Sequence, residues 1–445
     1  VSANEAIADD IGATIARPWG RALAWLAFLT PFFYVTYGLS NWLASVHPNV
    51  PSIVFSWEQA IPFIGWTIIP YWSINAFYGL SLFVCSSKDE LNTHGRRLLT
   101  AQIIAVSCFI LFPLRFTFAQ PVTEGFSGLL FAALTSFDQP FNQVPSLHIG
   151  LLVILWVFYA AHVPRRMKWL LHVWFALVGV SVLTTYQHHF IDIPTGALMG
   201  FLCLWLWPDR GTSPLTAFAL TRDRRRLVLA GRYAAGSVAI TVLALYCAGE
   251  AWFLFWPAVS LALVAASYSF VGAAGFQKGD DGRMSFAARV LLAPYLVGAW
   301  YNSRAWTRND PEPVAIAPGV SLGRMPDRDA AAEFSTIVDL SAELPLTQGE
   351  VTWRAFPLLD LVVPEPGTLR AAAAAIEQAR TQGPVLVCCA LGFSRSAAAV
   401  ATWLAAYGHA ISVSAAIDQV RRARPRIVLG EDVAAALAQA AGPRT

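Results

Sequence analysis

The sequence predicts a polytopic all-α membrane domain followed by a soluble α/β domain, and three observations carry that prediction. The 445 residues are 56% hydrophobic and only 13% charged, with 17 Trp and 28 Phe, a balance outside the range of ordinary soluble chains. Apolar windows of about 20 residues, the length that crosses a bilayer as a helix, recur up to about residue 302. Beyond Ser303 the pattern changes to short apolar runs alternating with amphipathic stretches, which implies helices packed on a central sheet.

Eight windows read as spanning helices, at roughly 22–44, 60–85, 98–115, 146–163, 168–187, 190–208, 227–248 and 251–274. The stretch 285–301 is apolar but holds Arg289 and Pro294, so it reads as an interfacial helix or a poor span. Basic residues cluster in alternate loops: Arg17 and Arg21, then Lys88, Arg96 and Arg97, then Arg165, Arg166 and Lys168, then Arg222 to Arg226, then Lys278 and Arg283. The loops around 45–59, 116–145, 188–190 and 249–250 carry no Lys or Arg, with Arg115 at the edge of one. The positive-inside rule then puts both termini in the cytoplasm. An integral protein of a bacterial inner membrane is the expected setting. A net charge of +3 spread over short clusters suits loop anchoring and excludes a nucleic-acid surface.

The expected organisation is an N-terminal cytoplasmic segment 1–21, a membrane catalytic domain 22–210, additional transmembrane and interfacial helices 211–302, a Pro-rich linker 303–318 (around NDPEPVAIAPG) and a soluble domain 319–445. In the last, TIVDLSAE (336–343) and PVLVCC (384–389) read as strands. Residues 369–381, 396–408 and 412–424 read as amphipathic helices. Cys85, Cys108, Cys203 and Cys247 fall in apolar segments and suggest no disulfide framework.

Chemistry concentrates in two places. The stretch QHHFID (187–192) sets ionisable groups between apolar runs, where they are costly and usually functional. By topology it meets PSLH (145–148) at the outer membrane face. A four-residue spacing lets Asp192 hold the imidazole of His188 and fix which ring nitrogen is free, which makes His188 a candidate nucleophile. His148 is the candidate proton donor, with Ser146 and Arg115 as phosphate-oxygen ligands, a set suited to phosphoryl transfer. His189 has no assigned role. Capping residues or a metal site made of His148, His188, His189 and Asp192 are the alternatives.

PSLH followed 40 residues later by HHFID resembles the type 2 phosphatidic acid phosphatase superfamily, in the form of its lipid inositol-phosphotransferase relatives, over roughly 60–208. The resemblance implies a six-helix core and a phosphohistidine intermediate without metal or other cofactor, with His188 as nucleophile, Asp192 as its orienting partner, His148 as acid and Ser146 as phosphate ligand. Ser181-Val182 stands where that family carries Ser-Arg, and FPLRF (112–116) offers Arg115 alone for its first motif.

The second place is VLVCCALGFSRSAAAV (385–400), where five residues separate Cys389 from Arg395 between a buried strand and an apolar helix. A strand–loop–helix of this kind, turning at Gly392, aims backbone N–H groups and a helix dipole at one point, where an anion binds and a thiolate is stabilised. Cys389 is the candidate nucleophile and Arg395 the oxygen clamp. Ser396 assists thiolate departure, Ser394 lines the loop, and Asp360 in FPLLDLVVPEPG is the candidate general acid in preference to Asp339. These features resemble the dual-specificity branch of the protein tyrosine phosphatases over roughly 314–440, with Cys388 where that family usually has His. Together the two resemblances imply a bifunctional membrane phosphatase for phosphorylated lipids, with an outer histidine site and a cytoplasmic cysteine site. The alternatives are a head-group transferase in the membrane half, and a protein tyrosine phosphatase or a phosphate-binding regulatory module in the cysteine domain.

Overall fold

A computed structural model describes residues 17–346 and 351–442, so most of the expected N-terminal segment 1–21 lies outside the described residues. The chain divides into two compact units, residues 1–210 with 247–253, and residues 211–246 with 254–445.

The first unit is helical: α1 (Trp19–Ser45), α2 (Ile68–Val84), α3 (Lys88–Leu111), α4 (Gly125–Thr135), α5 (Leu147–His162), α6 (Lys168–Thr184) and α7 (Asp192–Leu206). Every one of the eight apolar windows contains helix, and among the described residues four helices are long and apolar enough to cross a membrane: Trp19–Ser45, Arg165–Thr184, Arg224–Cys247 and Gly249–Phe276. By that measure four of the eight expected spans are supported. The shortfall has local causes. α5 has 16 residues and α7 has 15, about 23 Å at 1.5 Å per residue against a ~30 Å hydrocarbon core. Pro164 and Pro208 follow their last turns, and the residue before a proline is pushed out of the α region. α2 starts only after two 3-10 turns, Ser56–Ala60 and Gly65–Thr67. α3 opens on the charged run Lys88, Asp89, Glu90, with Ser87 capping it by accepting from the Glu90 N–H at 3.1 Å. The stretch 116–145, expected to be loop, contains α4.

α5 and α7 pack along a seam of glycines. A Cβ on Gly196 would lie 2.6 Å from the Ser146 carbonyl oxygen, and one on Gly200 2.7 Å from that of Gly150. Without a side chain at these points the two backbones approach closely. The seam brings the N-terminal ends of both helices, and with them Ser146 and Asp192, to one place.

The second unit begins with α8 (Arg224–Cys247, entering at its N-terminal end) and α9 (Phe255–Ala266), which runs on through a π-helical turn at Ser267–Val271 and a 3-10 turn at Gly272–Phe276. The stretch 285–301 folds as two helices, α10 (Phe286–Leu291) and α11 (Ala293–Trp306), breaking before Pro294. The α/β part follows: β1 (Val314–Ala317), β2 (Val320–Arg324), α12 (Arg328–Ala332), β3 (Thr336–Ser341), β4 (Thr352–Leu358), α13 (Pro366–Arg380), β5 (Val385–Cys389), α14 (Arg395–Ala406), α15 (Val413–Ala423) and α16 (Glu431–Ala441). β1 lies inside the stretch expected as linker.

The sheet order is β1-β2-β5-β3-β4, parallel except for the antiparallel edge pair β1 and β2. Parallel strands covered on both faces read as unbroken apolar runs, as VLVCC does. Alternation along β5 sends Val385, Val387 and Cys389 into a core with Leu369, Ile376, Val400 and Leu404, and sends Leu386 and Cys388 to the other face with Ile337, Met325 and Leu344. β5 is central and ends at Cys389.

Candidate active sites

At the junction of α5, α6 and α7, His188 Nδ1 lies 2.8 Å from Asp192 Oδ2, and both side chains are buried. The carboxylate accepts the Nδ1 proton, which leaves Nε2 as the free, basic nitrogen. That nitrogen faces Ser146 Oγ at 3.3 Å, and the same oxygen caps α5 by accepting from the Ile149 N–H at 3.2 Å. The cap and the contact share one hydroxyl, so the helix start sets the distance to His188. The His148 ring stacks on Tyr71 with centroids 4.1 Å apart, and its Nε2 is buried without a partner. Arg115 is exposed, and its backbone N–H bonds the Pro51 carbonyl at 2.9 Å.

His189 is held differently. Its Nε2 accepts from the Thr117 N–H at 3.2 Å, so Nδ1 carries the proton and donates to Glu58 Oε2 at 2.9 Å. Glu58 also accepts from the Phe190 and Phe55 N–H groups at 3.0 and 2.8 Å. Burial works to raise the Glu58 carboxyl, but these hydrogen bonds outweigh it and hold it below the usual carboxylate range. The adjacent histidines thus serve as a dyad member and a loop clamp. Among the described residues no cluster of three or more His, Cys, Asp or Glu side chains is spaced to hold a metal ion. Asp138, which the sequence did not single out, accepts from Tyr37 Oη at 2.9 Å, and burial pushes its carboxyl up to about 6.

At the end of β5 the loop Ala390–Ser394 leads directly into α14. Gly392 has φ +74°, and a Cβ there would lie 2.5 Å from the Gly323 carbonyl carbon, so only glycine turns the chain at this point. Its N–H points at Cys389 Sγ from 3.3 Å, and the Ser396 hydroxyl donates to the same sulfur at 3.2 Å. Ser394 is the N-cap residue of α14 and makes no side-chain cap bond.

Arg395 is 2% exposed and bound on several sides. Its two terminal nitrogens donate bidentately to Glu343 at 2.8 and 2.6 Å, one also donates to the Leu358 carbonyl at 2.8 Å, and the other meets Asp360 Oδ1 at 3.0 Å. Its Nε is buried with no partner, an orphaned donor within the anion-loop arrangement. Burial would raise Glu343, yet the guanidinium outweighs it and holds the carboxylate low. Asp360 goes the other way: burial lifts its carboxyl above the ordinary range, opposed by Arg395 and assisted by Glu343. Asp339 accepts from buried Lys278 and from the Ser341 N–H and hydroxyl, each of the latter at 2.8 Å, and is a structural carboxylate.

Residues 323–441 match the family model for the dual specificity phosphatase catalytic domain. This segment is a dual-specificity phosphatase domain. Among solved structures, Tk-PTP in its active form is 28% identical, covering 30% of this chain and 97% of its own, with a TM-score of 0.27. Human DUSP28 is 30% identical over 28% of this chain and 90% of its own, with a TM-score of 0.26. PTPMT1 in complex with PI(5)P is 18% identical over 27% and 89%, with a TM-score of 0.25. No curated protein matches the chain.

By its dual-specificity phosphatase domain the chain is a phosphoric monoester hydrolase. In the phosphatase domain Cys389 ends the central strand, the Gly392 N–H and the Ser396 hydroxyl meet its Sγ, and Arg395 meets Asp360 at 3.0 Å. Cys388 lies on the opposite sheet face, where burial and then Asp339 push its thiol far up. It is a filler of the core. Glu343 is the residue that sequence reading missed. Its signal was the acidic residue closing TIVDLSAE, a buried charge directly after a fully buried strand.

Proposed function

We propose that the protein is a bifunctional membrane phosphatase for phosphorylated lipids, with a phosphohistidine site in residues 22–210 at the outer membrane face and a cysteinyl-phosphate site in residues 319–445 in the cytoplasm. In this reading 1–21 is a cytoplasmic segment, 211–302 adds transmembrane and interfacial helices, 303–318 connects them to the cysteine domain, and eight helices cross or enter a bacterial inner membrane. The membrane half is similar to the type 2 phosphatidic acid phosphatase superfamily. The single observation that carries its chemistry is the buried His188–Asp192 dyad whose free Nε2 faces Ser146. His148 is the proton donor in that half. A lipid substrate for the cysteine site is supported by Leu361, an apolar side chain 71% exposed directly beside Asp360.

The test is turnover of a long-chain lipid phosphomonoester by the purified full chain in mixed micelles. His188→Ala and Cys389→Ser each remove one part of the activity, and the double variant removes all of it. Complete loss in Cys389→Ser alone would overturn the two-site reading.

A second reading, transfer to an alcohol acceptor in the membrane half, has its own support. Asn142 Oδ1, Gln143 Oε1 and Asp192 Oδ1 are buried acceptors without donors. Hydroxyl groups of an alcohol supply donors that a phosphate dianion lacks. Incorporation of a labelled polyol into lipid, absent in His188→Ala, separates this from hydrolysis.

A further inference from the structure

We propose that Tyr268, in the apolar helical run ahead of the cysteine domain, is a positioning residue for the general acid of the phosphatase reaction. Its hydroxyl donates to the backbone carbonyl of Asp360 at 3.1 Å. The tyrosine is 2% exposed, so this contact is fixed by packing and not by solvent exchange.

The placement is built from the backbone outward. Tyr268 sits in the π-helical turn Ser267–Val271, within the 28-residue run Gly249–Phe276. A π turn releases carbonyls from the regular ladder and swings its side chains out of helical register, and such turns concentrate at functional sites. Here the released carbonyls find donors on the preceding segment. Arg226 Nε bonds Tyr268 O at 3.0 Å, and the N–H groups of Thr221 and Ala219 bond Ser269 O at 2.8 Å and Phe270 O at 3.0 Å. The phenol ring is held by Tyr233 at 5.4 Å between centroids, which in turn meets Tyr295 edge-on at 5.7 Å.

What this tyrosine holds is itself unusual. Leu361, the residue after Asp360, has φ +58°, a left-handed conformation that is strained for a leucine. Two restraints bracket the acid: the Tyr268 bond on its own carbonyl and the Arg395 contact on its carboxyl at 3.0 Å. The groups facing Asp360 are Arg395, Glu343, the Leu361 N–H, Tyr268 and Tyr233. In the reaction the P–O bond to the leaving group breaks as the S–P bond to Cys389 forms, and the Asp360 proton passes to the departing oxygen. Tyr268 touches neither. It fixes the peptide from which that proton is presented, so an apolar helix becomes a working part of the phosphatase.

The inference rests on the reading of Asp360 as the acid, and the experiment separates the two. The full-length chain in detergent is assayed with an alkyl phosphate, whose leaving group needs a proton, and with an activated aryl phosphate, which does not. Tyr268→Phe removes one hydroxyl. It is expected to lower kcat on the alkyl ester about tenfold, the scale of one hydrogen bond, with a smaller loss on the aryl ester and an altered basic limb in the alkyl pH profile. The alkyl-to-aryl ratio within one preparation is independent of the fraction folded. Asp360→Asn should show the same selectivity more strongly. Selectivity in Asp360→Asn with an unchanged ratio in Tyr268→Phe overturns the role of Tyr268. An unchanged ratio in Asp360→Asn overturns the reading of Asp360, and the inference with it.

Discussion

In the proposed reaction Asp360 can donate its proton only while protonated, and its environment extends the range in which it is. Burial raises its carboxyl, and the negative charge of Glu343 adds to that, while Arg395 opposes it. Rate on an alkyl phosphate should therefore hold above the ordinary Asp range and fall as pH rises through the elevated value, because the carboxylate form cannot donate. Asp360→Asn should abolish that basic limb and lower kcat about 100-fold or more, measured as a pH–rate profile. A wild-type limb that persists in the variant would assign the titration elsewhere. Lys278 supplies a second test of single-residue energetics. Its ammonium is fully buried against Asp339, and it also donates to the Ser341 carbonyl at 2.8 Å. Lys278→Met strands the carboxylate and is expected to cost about 3–5 kcal/mol in denaturant unfolding of the unit, whereas Lys278→Met with Asp339→Leu should recover part of it.

At the scale of elements, the glycine seam between α5 and α7 is what brings the ends of the histidine site together. Gly196→Val would drive a side chain into the Ser146 carbonyl and Ile149. Such overpacking typically costs about 1–3 kcal/mol or a backbone shift, and a shift here moves Ser146 away from His188. Loss of histidine-site turnover with cysteine-site turnover kept, assayed in the full chain, is the expected result; equal loss at both would contradict it. The pairing of His188 with Asp192 was legible from their four-residue spacing, but the helix expected to carry both does not: His188 lies between α6 and α7, and Asp192 is the first residue of α7. The different fate of His189 was not legible, because it depends on Glu58, 131 positions away in the chain. Strand alternation made the opposed faces of Cys388 and Cys389 readable in principle. The Glu343–Arg395 pair spans 52 positions and becomes visible only once β3 and β5 lie side by side.

For the molecule as a whole, the boundary of the cysteine domain is the consequential question. Composition shifts near Ser303, and a fragment starting there would look self-sufficient. Yet the compact unit that contains the sheet begins at Gly211 and takes in the preceding helices. Lys278 enters the core from that side, the Asp280 carbonyl accepts from the Ala355 N–H of edge strand β4 at 2.8 Å, and the Gly282 carbonyl accepts from the Leu346 N–H at 3.1 Å. A fragment of residues 305–445 loses all three contacts. It leaves Asp339 as an unpaired buried charge and uncovers the β4 edge, a free template for association. A fragment of residues 211–445 in detergent keeps them. The shorter fragment is therefore expected to melt at least about 10 °C lower, or to aggregate, as read by thermal denaturation and light scattering, since about 3–5 kcal/mol shifts a domain of this size by that much. Equal melting of the two would mean that the sheet domain stands alone and that the helical segment is only its tether; a lower melting point restored by extending the fragment back to residue 276 would locate the missing stability in Lys278 and the hairpin that carries it.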